Sequence, residues 1–217
     1  MARETKDLTT REKILQTALK LFNEKGVRNV TTAQIAKALQ ISEGNLWYHF
    51  RTKHQLVVEL FGKLEAEVDA NLSRGATSNA DLTEHLRYAV RAFEYLWEYR
   101  FLFQERFEEV LSGGFDASMQ AMMVRGQKNV ERILAEMIAA KMLVMTPAEA
   151  RALAINAWIV HSSWLGYLQA RDNLKQINQA HIKEGFAQMM WLFDPYWSAE
   201  ARTEAKKLLA EFALSSD

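Results

Sequence analysis

Apolar residues recur along this 217-residue chain at the three- and four-residue spacing of an α-helix. No alternating apolar stretch of strand length is bounded by turn signals, and the two prolines are Pro147 and Pro195. The pattern therefore predicts an all-α fold. The first helix is predicted over residues 10–25, where one apolar stripe runs to Gly26, a residue suited to ending a helix.

Two short helices joined by a tight turn are predicted between residues 31 and 50. The first begins with a capping box, in which the Thr31 hydroxyl accepts from the Gln34 amide and the Gln34 side chain reaches back to the Thr31 amide. After the turn, Ile41 is expected to lie as an apolar plug between the helices, and Ser42 to cap the second helix. The second helix has two predicted inward residues and six outward ones: Leu46 and Phe50 inside, and Glu43, Gly44, Asn45, Trp47, Tyr48 and His49 outside.

Longer helices are predicted for the remainder of the chain. Their expected ranges are 52–74, 81–99, 100–111, 115–140, 147–171, 175–193 and 198–213. The helix over 52–74 is longer than the small bundle, so we expect it to link this bundle to a second domain, with a loop at 73–81 as the boundary. Residues 10–70 are thus predicted as a three-helix bundle with its linked fourth helix, and the helix-turn-helix pair lies at 31–50. Residues 75–217 are predicted as a larger helical domain.

Charge is distributed unevenly along the chain. The formal net charge is zero, with 27 basic and 27 acidic residues, yet residues 1–55 carry ten Lys or Arg against five Asp or Glu. The first part therefore has a net charge of +5 and the remainder −5. This asymmetry favours contact of the N-terminal part with a polyanion, and a solvated charged face is the alternative.

Composition excludes several classes of site. The chain has no cysteine, which rules out a disulfide framework, a thiolate metal site and a cysteine nucleophile. The charged first residues lack the apolar segment of a secretory signal, and no apolar run is long enough to span a membrane. We therefore expect a soluble cytoplasmic protein with no membrane partner.

The residues from about 10 to 70 resemble the TetR family of bacterial transcription regulators. The positions that carry the resemblance are Ala18, Leu21, Phe22, Gly26, Thr31, Thr32, Ile35, Ala36, Leu46, Tyr48, His49, Phe50 and Lys53. The resemblance implies a DNA-binding three-helix bundle linked to a fourth helix, and a homodimer. This chain departs from the family pattern in two places. Gln40 occupies a turn position where the family usually has glycine. In the following helix, Asn45 stands where the family favours a small residue and Trp47 where it favours tyrosine.

The resemblance also implies which side chains contact double-stranded DNA. The residues expected there are Thr31, Thr32, Ala33, Ser42, Glu43, Gly44, Asn45, Trp47, Tyr48, His49 and Lys53. In the family, the positions of Thr32, Ser42, Tyr48, His49 and Lys53 hold the phosphate backbone, and those of Ala33, Glu43, Gly44, Asn45 and Trp47 lie nearer the bases. Here Asn45 is suited to pair with adenine and Glu43 to accept from a cytosine amino group. A solvated helix surface is the alternative for each residue taken singly.

Aromatic and methionine side chains are concentrated between residues 93 and 167. We expect nine residues to line a cavity for a small apolar or amphipathic effector: Phe93, Trp97, Phe101, Phe103, Phe107, Met122, Trp158, His161 and Trp164. Flat and adaptable apolar groups suit such a molecule, and His161 is the polar group expected to orient it. An ordinary hydrophobic core is the alternative, since these side chains are commonly buried.

The helix over 147–171 is apolar almost all round, so it must be covered on two sides. With the next helix it is expected to form a four-helix seam against a second copy of the chain. The residues expected in this dimer interface are Leu153, Ala157, Val160, Trp164, Ile182, Phe186, Met189 and Phe193. A homodimer would bind a palindromic operator with its two recognition helices about one DNA turn, or a multiple of it, apart. Burial in a monomeric core is the alternative.

Catalytic and cofactor motifs are absent from the sequence, including HExxH, GxSxG, GxGxxG and a phosphate-binding loop. His181 and Glu184 are three residues apart on a predicted helix, but no second such pair accompanies them. The sequence therefore predicts no enzyme, cofactor or metal site. It predicts a sequence-specific transcriptional regulator, acting as a repressor that a small ligand releases from its operator. A helical ligand-binding protein or enzyme with a non-regulatory N-terminal bundle, and a non-specific architectural DNA binder, are the alternatives.

Overall fold

The computed structural model describes residues 8–74, 81–104, 115–172 and 177–214, and within these ranges the fold is all-α, as predicted. The helices in chain order are α1 (Thr10–Lys25), α2 (Thr32–Leu39), α3 (Glu43–His49), α4 (Lys53–Arg74), α5 (Leu82–Glu98), α6 (Phe101–Gln104), α7 (Phe115–Ala139), α8 (Pro147–Asp172), α9 (Gln179–Trp191) and α10 (Ala199–Leu214). A 3-10 turn at Asp194–Tyr196 precedes α10. Leu143 and Trp197 form an isolated antiparallel bridge, which ties the loop before α8 to the segment before α10.

Most helix boundaries agree with the sequence prediction within one residue. The bounds of α1 are those predicted, and Gly26 follows the helix with a positive φ of 78°. The helix expected over 100–111 is described only as α6, because residues 105–114 lie outside the described ranges.

The start of α9 was predicted at residue 175, four residues before the position found. Helix α9 begins at Gln179 because Asn178 caps it: the Asn178 side chain accepts from the His181 amide at 3.2 Å, and the Asn178 amide donates to His181 Nδ1 at 3.1 Å. This reciprocal pair is a capping box. His181, one of the two residues of the His181 and Glu184 pair, therefore takes part in the cap of α9.

One hydrophobic core lies between α1, α2, α3 and the first half of α4. Leu46 and Phe50, the residues predicted to face inward from the second short helix, are 0% and 2% exposed. Phe22 of α1 packs against Phe101 of α6, with ring centroids 5.5 Å apart. The core of the bundle therefore extends into α5, α6 and α7.

A second hydrophobic core fills the space between α5, α7, α8, α9 and α10. Helix α4 contacts both groups of helices. Leu56, Leu60 and Leu64 are buried in the first core, and the C-terminal half of α4 makes hydrogen bonds to α5 and α7. Helix α4 therefore connects the bundle to the helices around the second core.

Gln40 ends α2 in a left-handed conformation, with φ 57° and ψ 36°. Its amide donates to the carbonyls of Ala36 and Lys37, so the turn forms although the residue is not glycine. A left-handed conformation costs a residue with a side chain about 1 kcal/mol more than glycine.

We expect Gln40→Gly to raise the free energy of unfolding by about 0.5–1 kcal/mol, because glycine removes the strain of the left-handed turn. Urea denaturation measures the change. Ala38→Gly, at an exposed position inside α2, is the matched control and should lower the free energy of unfolding by about 1 kcal/mol. Equal destabilisation by both substitutions would contradict the left-handed geometry.

Candidate nucleic-acid interface and ligand cavity

Local hydrogen bonds cap the starts of α2 and α3. The predicted capping box is present: the Thr31 amide donates to Gln34 Oε1 at 2.9 Å, and the Gln34 amide donates to the Thr31 hydroxyl at 3.2 Å. Ser42 caps α3, as predicted, by accepting from the Asn45 amide at 3.1 Å. Ile41 is half-buried against the first core between the two helices. Each of these contacts joins residues close in sequence.

The outer side of α3 is exposed. Trp47 is 49% exposed and Tyr48 is 82% exposed, while the preceding residue, Leu46, is fully buried in the first core. The other residues expected at DNA are placed as follows: Thr31, Ala33, Ser42, Glu43, Gly44 and Asn45 are exposed, and Thr32, His49 and Lys53 are half-buried. The His49 ring stands edge-on to Tyr48, with centroids 5.2 Å apart. Aromatic and amide groups thus lie at the surface of the bundle, beside the Thr31 and Ser42 hydroxyls that cap its helices.

Gly44 lies on this outer side without being required by the fold. A Cβ added at Gly44 would meet Ser42 Oγ at 3.9 Å, which is ordinary van der Waals contact. The space in front of Gly44 is therefore open, and a partner surface can approach the backbone closely there.

Lys53 has a structural role that the sequence did not indicate. Its Nζ donates to the carbonyl of Val27 at 2.6 Å and to that of Val30 at 2.9 Å. These bonds fasten the loop between α1 and α2 to the start of α4. Two of the three ammonium hydrogens are used in this way, and contact of the third with a phosphate stays a prediction.

Two adjoining cavities lie among the C-terminal helices. The larger cavity, about 440 Å³, is lined by residues of α4, α5, α6, α7 and α8. The smaller cavity, about 100 Å³, is lined by residues of α5, α7, α8 and α9 and of the segment that follows α9. Both share Tyr88, Ala92, Trp158 and His161. The larger cavity falls within the range of about 300–1,000 Å³ that is common for small-molecule sites.

Five of the nine residues expected to line a ligand cavity do so. Phe93 lines the smaller cavity, Phe103 and Met122 line the larger one, and Trp158 and His161 line both. Their shared feature is a position on the inner sides of α5 to α8.

Three of the expected lining residues lie elsewhere, and the prediction is wrong for them. Phe101 packs in the first core, and Trp97 lies under the Arg100 guanidinium, 3.9 Å from its ring centroid. Trp164 is buried against Gly185, and its Nε1 donates to the His181 carbonyl at 2.6 Å. The fourth, Phe107, lies outside the described residues.

Gly126 shapes the larger cavity, although no pattern in the sequence distinguishes this glycine. A Cβ at Gly126 would lie 2.6 Å from Trp158 Cζ3 and 2.9 Å from Cη2. The indole of Trp158 therefore packs directly on the glycine backbone of α7. This contact holds the ring that borders both cavities.

Most residues expected at a dimer interface are buried within the chain itself, so this assignment is wrong in its details. Leu153, Ala157, Trp164, Ile182, Phe186, Met189 and Phe193 are at most 8% exposed, and Val160 is half-buried against the second core. On α8 and α9, other large apolar side chains are exposed at the surface. They are Ile155, Ile159, Tyr167 and Trp191, which are 47%, 53%, 48% and 69% exposed.

Asn23 of α1 connects the bundle to the helices around the cavities. Its Nδ2 donates to the carbonyl of Glu98, at the end of α5, at 2.8 Å. Its Oδ1 accepts from the amide of Phe101, at the start of α6, at 3.1 Å. One side chain thus satisfies two backbone groups where α1 meets the end of α5 and the start of α6.

Polar contacts also join α4 to α5 and α7. The hydroxyl of Tyr95 donates to the Glu67 carbonyl at 2.9 Å, and the hydroxyl of Tyr99 donates to Glu67 Oε1 at 3.0 Å. Burial, followed by the nearby Glu67 carboxylate, raises the pKa of Tyr99, which keeps its proton for this bond. On the other side, Arg125 of α7 donates to Glu65 at 2.8 Å.

Within the part of the chain that the structure describes, no three His, Asp or Glu side chains are grouped as metal ligands. No helix of those residues combines the length and apolarity needed to cross a bilayer.

The comparisons with known proteins agree with this geometry. The family model described as bacterial regulatory proteins, tetR family, matches residues 14–60, and the model described as a bacterial transcriptional repressor of the TetR type matches residues 63–205. The HTH-type transcriptional regulator AcrR of Shigella flexneri is 38% identical over 79 residues, which are 32% of this chain and 37% of that protein. The chain thus spans well under half of that relative's length.

Solved structures extend the similarity over nearly the whole chain. A TetR-family transcriptional regulator from Marinobacter aquaeolei VT8 is 32% identical, with a TM-score of 0.80, over 94% of this chain and 99% of that one. SmeT, solved as a complex with triclosan, is 17% identical, with a TM-score of 0.62, over 88% of this chain and 93% of its own. The second comparison shows a shared fold.

A helix-turn-helix bundle with an exposed outer helix, joined by a long helix to a helical domain with internal cavities, defines a DNA-binding regulator. The matched models cover most of the residues, and the Marinobacter protein is matched over almost its full length. The chain belongs to the TetR family of bacterial transcriptional regulators. Its homologues are regulators of transcription rather than enzymes.

Proposed function

We propose that the protein is a sequence-specific transcriptional repressor, which binds a palindromic operator as a homodimer and leaves it when a small apolar ligand occupies its cavities. The observation that carries this proposal is the exposed outer side of α3, where Trp47 and Tyr48 face solvent while Leu46 is buried. Residues 10–70 then serve as the DNA-binding domain and residues 75–217 as the ligand-binding and dimerisation domain. The site of action is the cytoplasm, where the operator lies.

The outer side of α3 carries two kinds of contact in this proposal. Ser42, Tyr48 and His49 donate to phosphate oxygens, which positions the helix in the major groove. Asn45 and Glu43 meet the base edges, where an amide suits adenine and a carboxylate accepts from cytosine. The net charge of +5 over residues 1–55 supplies attraction to DNA of any sequence.

The larger cavity supports ligand control of DNA binding because α4 forms part of its wall. Leu64, Val68 and Asn71 of α4 line it, opposite Trp158 of α8. A ligand that favours another position of α4 therefore also favours another position of α3. Coupling of this kind typically changes affinity by about 5- to 150-fold. The triclosan complex of SmeT supports ligand binding by a protein of this fold.

We expect Gly44→Ala to weaken operator binding by tenfold or more, because a methyl group enters the space that the DNA backbone or bases would occupy. The fold should be retained, since a Cβ at Gly44 meets only Ser42 Oγ, at 3.9 Å. Fluorescence anisotropy with labelled DNA from upstream of the gene, against a shuffled duplex of equal composition, measures the affinity.

Gly62→Ala is the matched control, because a Cβ at Gly62 of α4 has no neighbour within 4 Å. It should bind the operator like wild type. Equal wild-type binding to the shuffled duplex would support the architectural alternative, and no binding to either duplex would support the ligand-binding protein or enzyme. Undiminished binding by Gly44→Ala would contradict the role given to α3.

The proposed homodimer uses the outer sides of α8 and α9. Ile155, Ile159 and Tyr167 recur at helical spacing along α8 and remain exposed, and Trp191 of α9 is 69% exposed. A surface with this many large exposed apolar side chains is typical of an interface. Two such helices from each protomer would form a four-helix seam.

We expect Ile159→Asp to convert the dimer to a monomer, because it places a charge in the centre of the proposed apolar seam. Sedimentation velocity should show the loss of the dimer, and operator affinity should fall by roughly 100-fold or more as one half-site contact is lost. Val124→Asp, which alters a 47% exposed apolar residue on α7, is the control and should remain dimeric. A dimeric Ile159→Asp variant would place the seam elsewhere.

A further inference from the structure

His161 lies where the two cavities meet, and its contacts determine which of its nitrogens carries hydrogen. Its Nε2 is 3.0 Å from the backbone carbonyl oxygen of Ala92. A carbonyl oxygen only accepts, so Nε2 must be the donor in this bond. In a neutral imidazole the other nitrogen, Nδ1, is then an acceptor with a free lone pair.

The His161 ring is held in place and kept neutral by its surroundings. Phe93 packs against the ring edge to face, with centroids 5.0 Å apart, and Trp158 lies 5.8 Å away. Burial lowers the pKa of His161, so the neutral form prevails at neutral pH. The tautomer set by Ala92 is therefore also the form that a ligand meets.

The Nδ1 atom of His161 is buried and has no hydrogen-bond partner among the described residues. Buried polar atoms are usually paired, so an unpaired acceptor on a residue that lines both cavities indicates where the donor of a ligand fits. Backbone and ring contacts prevent the imidazole from turning to find another partner.

Among the described residues that line the cavities, no group would neutralise a charged ligand. Their described lining residues include no Asp, Glu, Lys or Arg, and the polar members are His, Tyr, Asn, Gln and Ser side chains. Transfer of an ionised carboxylate or ammonium into such a site without a partner is strongly unfavourable. The electrostatics thus select an uncharged molecule.

We infer that the cavities take an uncharged ligand with a flat apolar body and one hydroxyl or N–H group, which donates a hydrogen bond to His161 Nδ1. Phe93 and Trp158 contact the apolar body, and His161 fixes its orientation. That this ligand is the effector rests on the proposed function, whereas its chemistry rests on the cavity alone.

Three probes with one ring system test this chemistry: 2-naphthol has a donor, 2-methoxynaphthalene has the same oxygen without a donor, and 2-naphthoate is ionised. Isothermal titration calorimetry at pH 7.5, about one unit above the usual histidine pKa, measures their affinities for the full-length wild-type chain. We expect 2-naphthol to bind roughly tenfold more tightly than 2-methoxynaphthalene, and 2-naphthoate to bind most weakly.

His161→Phe keeps an aromatic ring and removes the acceptor, so it should abolish the difference between 2-naphthol and 2-methoxynaphthalene. Tyr88→Phe is the matched variant, because Tyr88 also borders both cavities, and it should keep the difference. In wild-type protein labelled with ¹⁵N-histidine, the unprotonated Nδ1 resonance of His161 should shift with 2-naphthol and not with 2-methoxynaphthalene. This spectrum keeps the test valid if a variant does not fold.

Equal wild-type affinities for the first two probes, or no binding of any probe, would overturn the inference. If the difference persisted in His161→Phe but were lost in Tyr88→Phe, the hydrogen bond would belong to Tyr88 and the inference would be wrong. Tightest binding of 2-naphthoate would overturn the requirement for a neutral ligand. Operator binding, measured on the same protein without probes, reports on the proposed function separately. If the protein bound 2-naphthol selectively but did not bind the operator, the proposed repressor function would be rejected and the inferred ligand chemistry would be retained.

Discussion

Replacement of Asn23 by alanine should lower the free energy of unfolding by about 2–3 kcal/mol. The substitution removes two hydrogen bonds between α1 and the junction of α5 and α6, at 2.8 Å to the Glu98 carbonyl and 3.1 Å to the Phe101 amide. The two backbone groups then lack partners in a half-buried position, so each should cost about 1–1.5 kcal/mol, the lower end of the range for a buried group. Urea denaturation followed by circular dichroism measures the change.

Asn29→Ala is the control for this prediction, because Asn29 donates to the Lys25 carbonyl at 2.8 Å in an exposed contact within one turn. Its effect should stay within about 0.5 kcal/mol. A second readout is cooperativity, since Asn23 holds α1 to the end of α5, a helix that also packs in the second core. Circular dichroism and tryptophan fluorescence should give coincident transitions for wild type and separated transitions for Asn23→Ala. Equal effects of the two substitutions would show that Asn23 contributes no link.

Replacement of Gly126 by alanine should lower the free energy of unfolding by about 1–3 kcal/mol, as overpacking of a filled site does. The new Cβ would lie 2.6 Å from the Trp158 ring, and the ring must move into one of the cavities that it borders. Tryptophan emission should change, and the affinity for 2-naphthol should fall with it. Calorimetry and urea denaturation measure these effects.

Gly62→Ala provides the comparison, because the same substitution in open space inside a helix should stabilise the fold by up to about 1 kcal/mol. Stabilisation by both substitutions would mean that Trp158 does not pack on Gly126, and the description of the cavity wall would have to change.

Features built from neighbouring residues were predictable from the sequence. The capping box of Thr31 and Gln34 and the cap at Ser42 each join residues three apart, so the residue types alone define the contact. The inward positions of Leu46 and Phe50 follow from helical periodicity in the same way. The asparagine cap that starts α9 is equally local, but the apolar pattern begins earlier, at Ile177, and this led to a predicted start that was too early.

Features that depend on distant residues were not predictable. Helix α8 is apolar on both sides, so periodicity could not distinguish the side of Leu153 and Ala157, which faces the core, from that of Ile155 and Ile159, which faces solvent. Phe101 was expected at a ligand because aromatic residues cluster near it in sequence, but its ring meets Phe22, far away in the chain.

Lys53, Asn23 and Gly126 illustrate a further limit. The roles of Lys53 and Asn23 consist of hydrogen bonds to backbone groups, and any residue can supply such a group. Gly126 matters because it has no side chain, which leaves room for the Trp158 ring. No pattern in a single sequence marks positions of these kinds.

The outer residues of α3 are exposed, and the residues that hold the helix in place, Leu46 and Phe50, point the other way. Under the proposed function, substitutions at Glu43 or Asn45 after duplication of such a gene would redirect one copy to new promoters without disturbing the fold or the response to its small molecule. Changes around His161 would likewise alter the inducing signal while the set of controlled genes stays the same. The two specificities would then evolve separately, and selection would act on α4 and Asn23 to keep them connected.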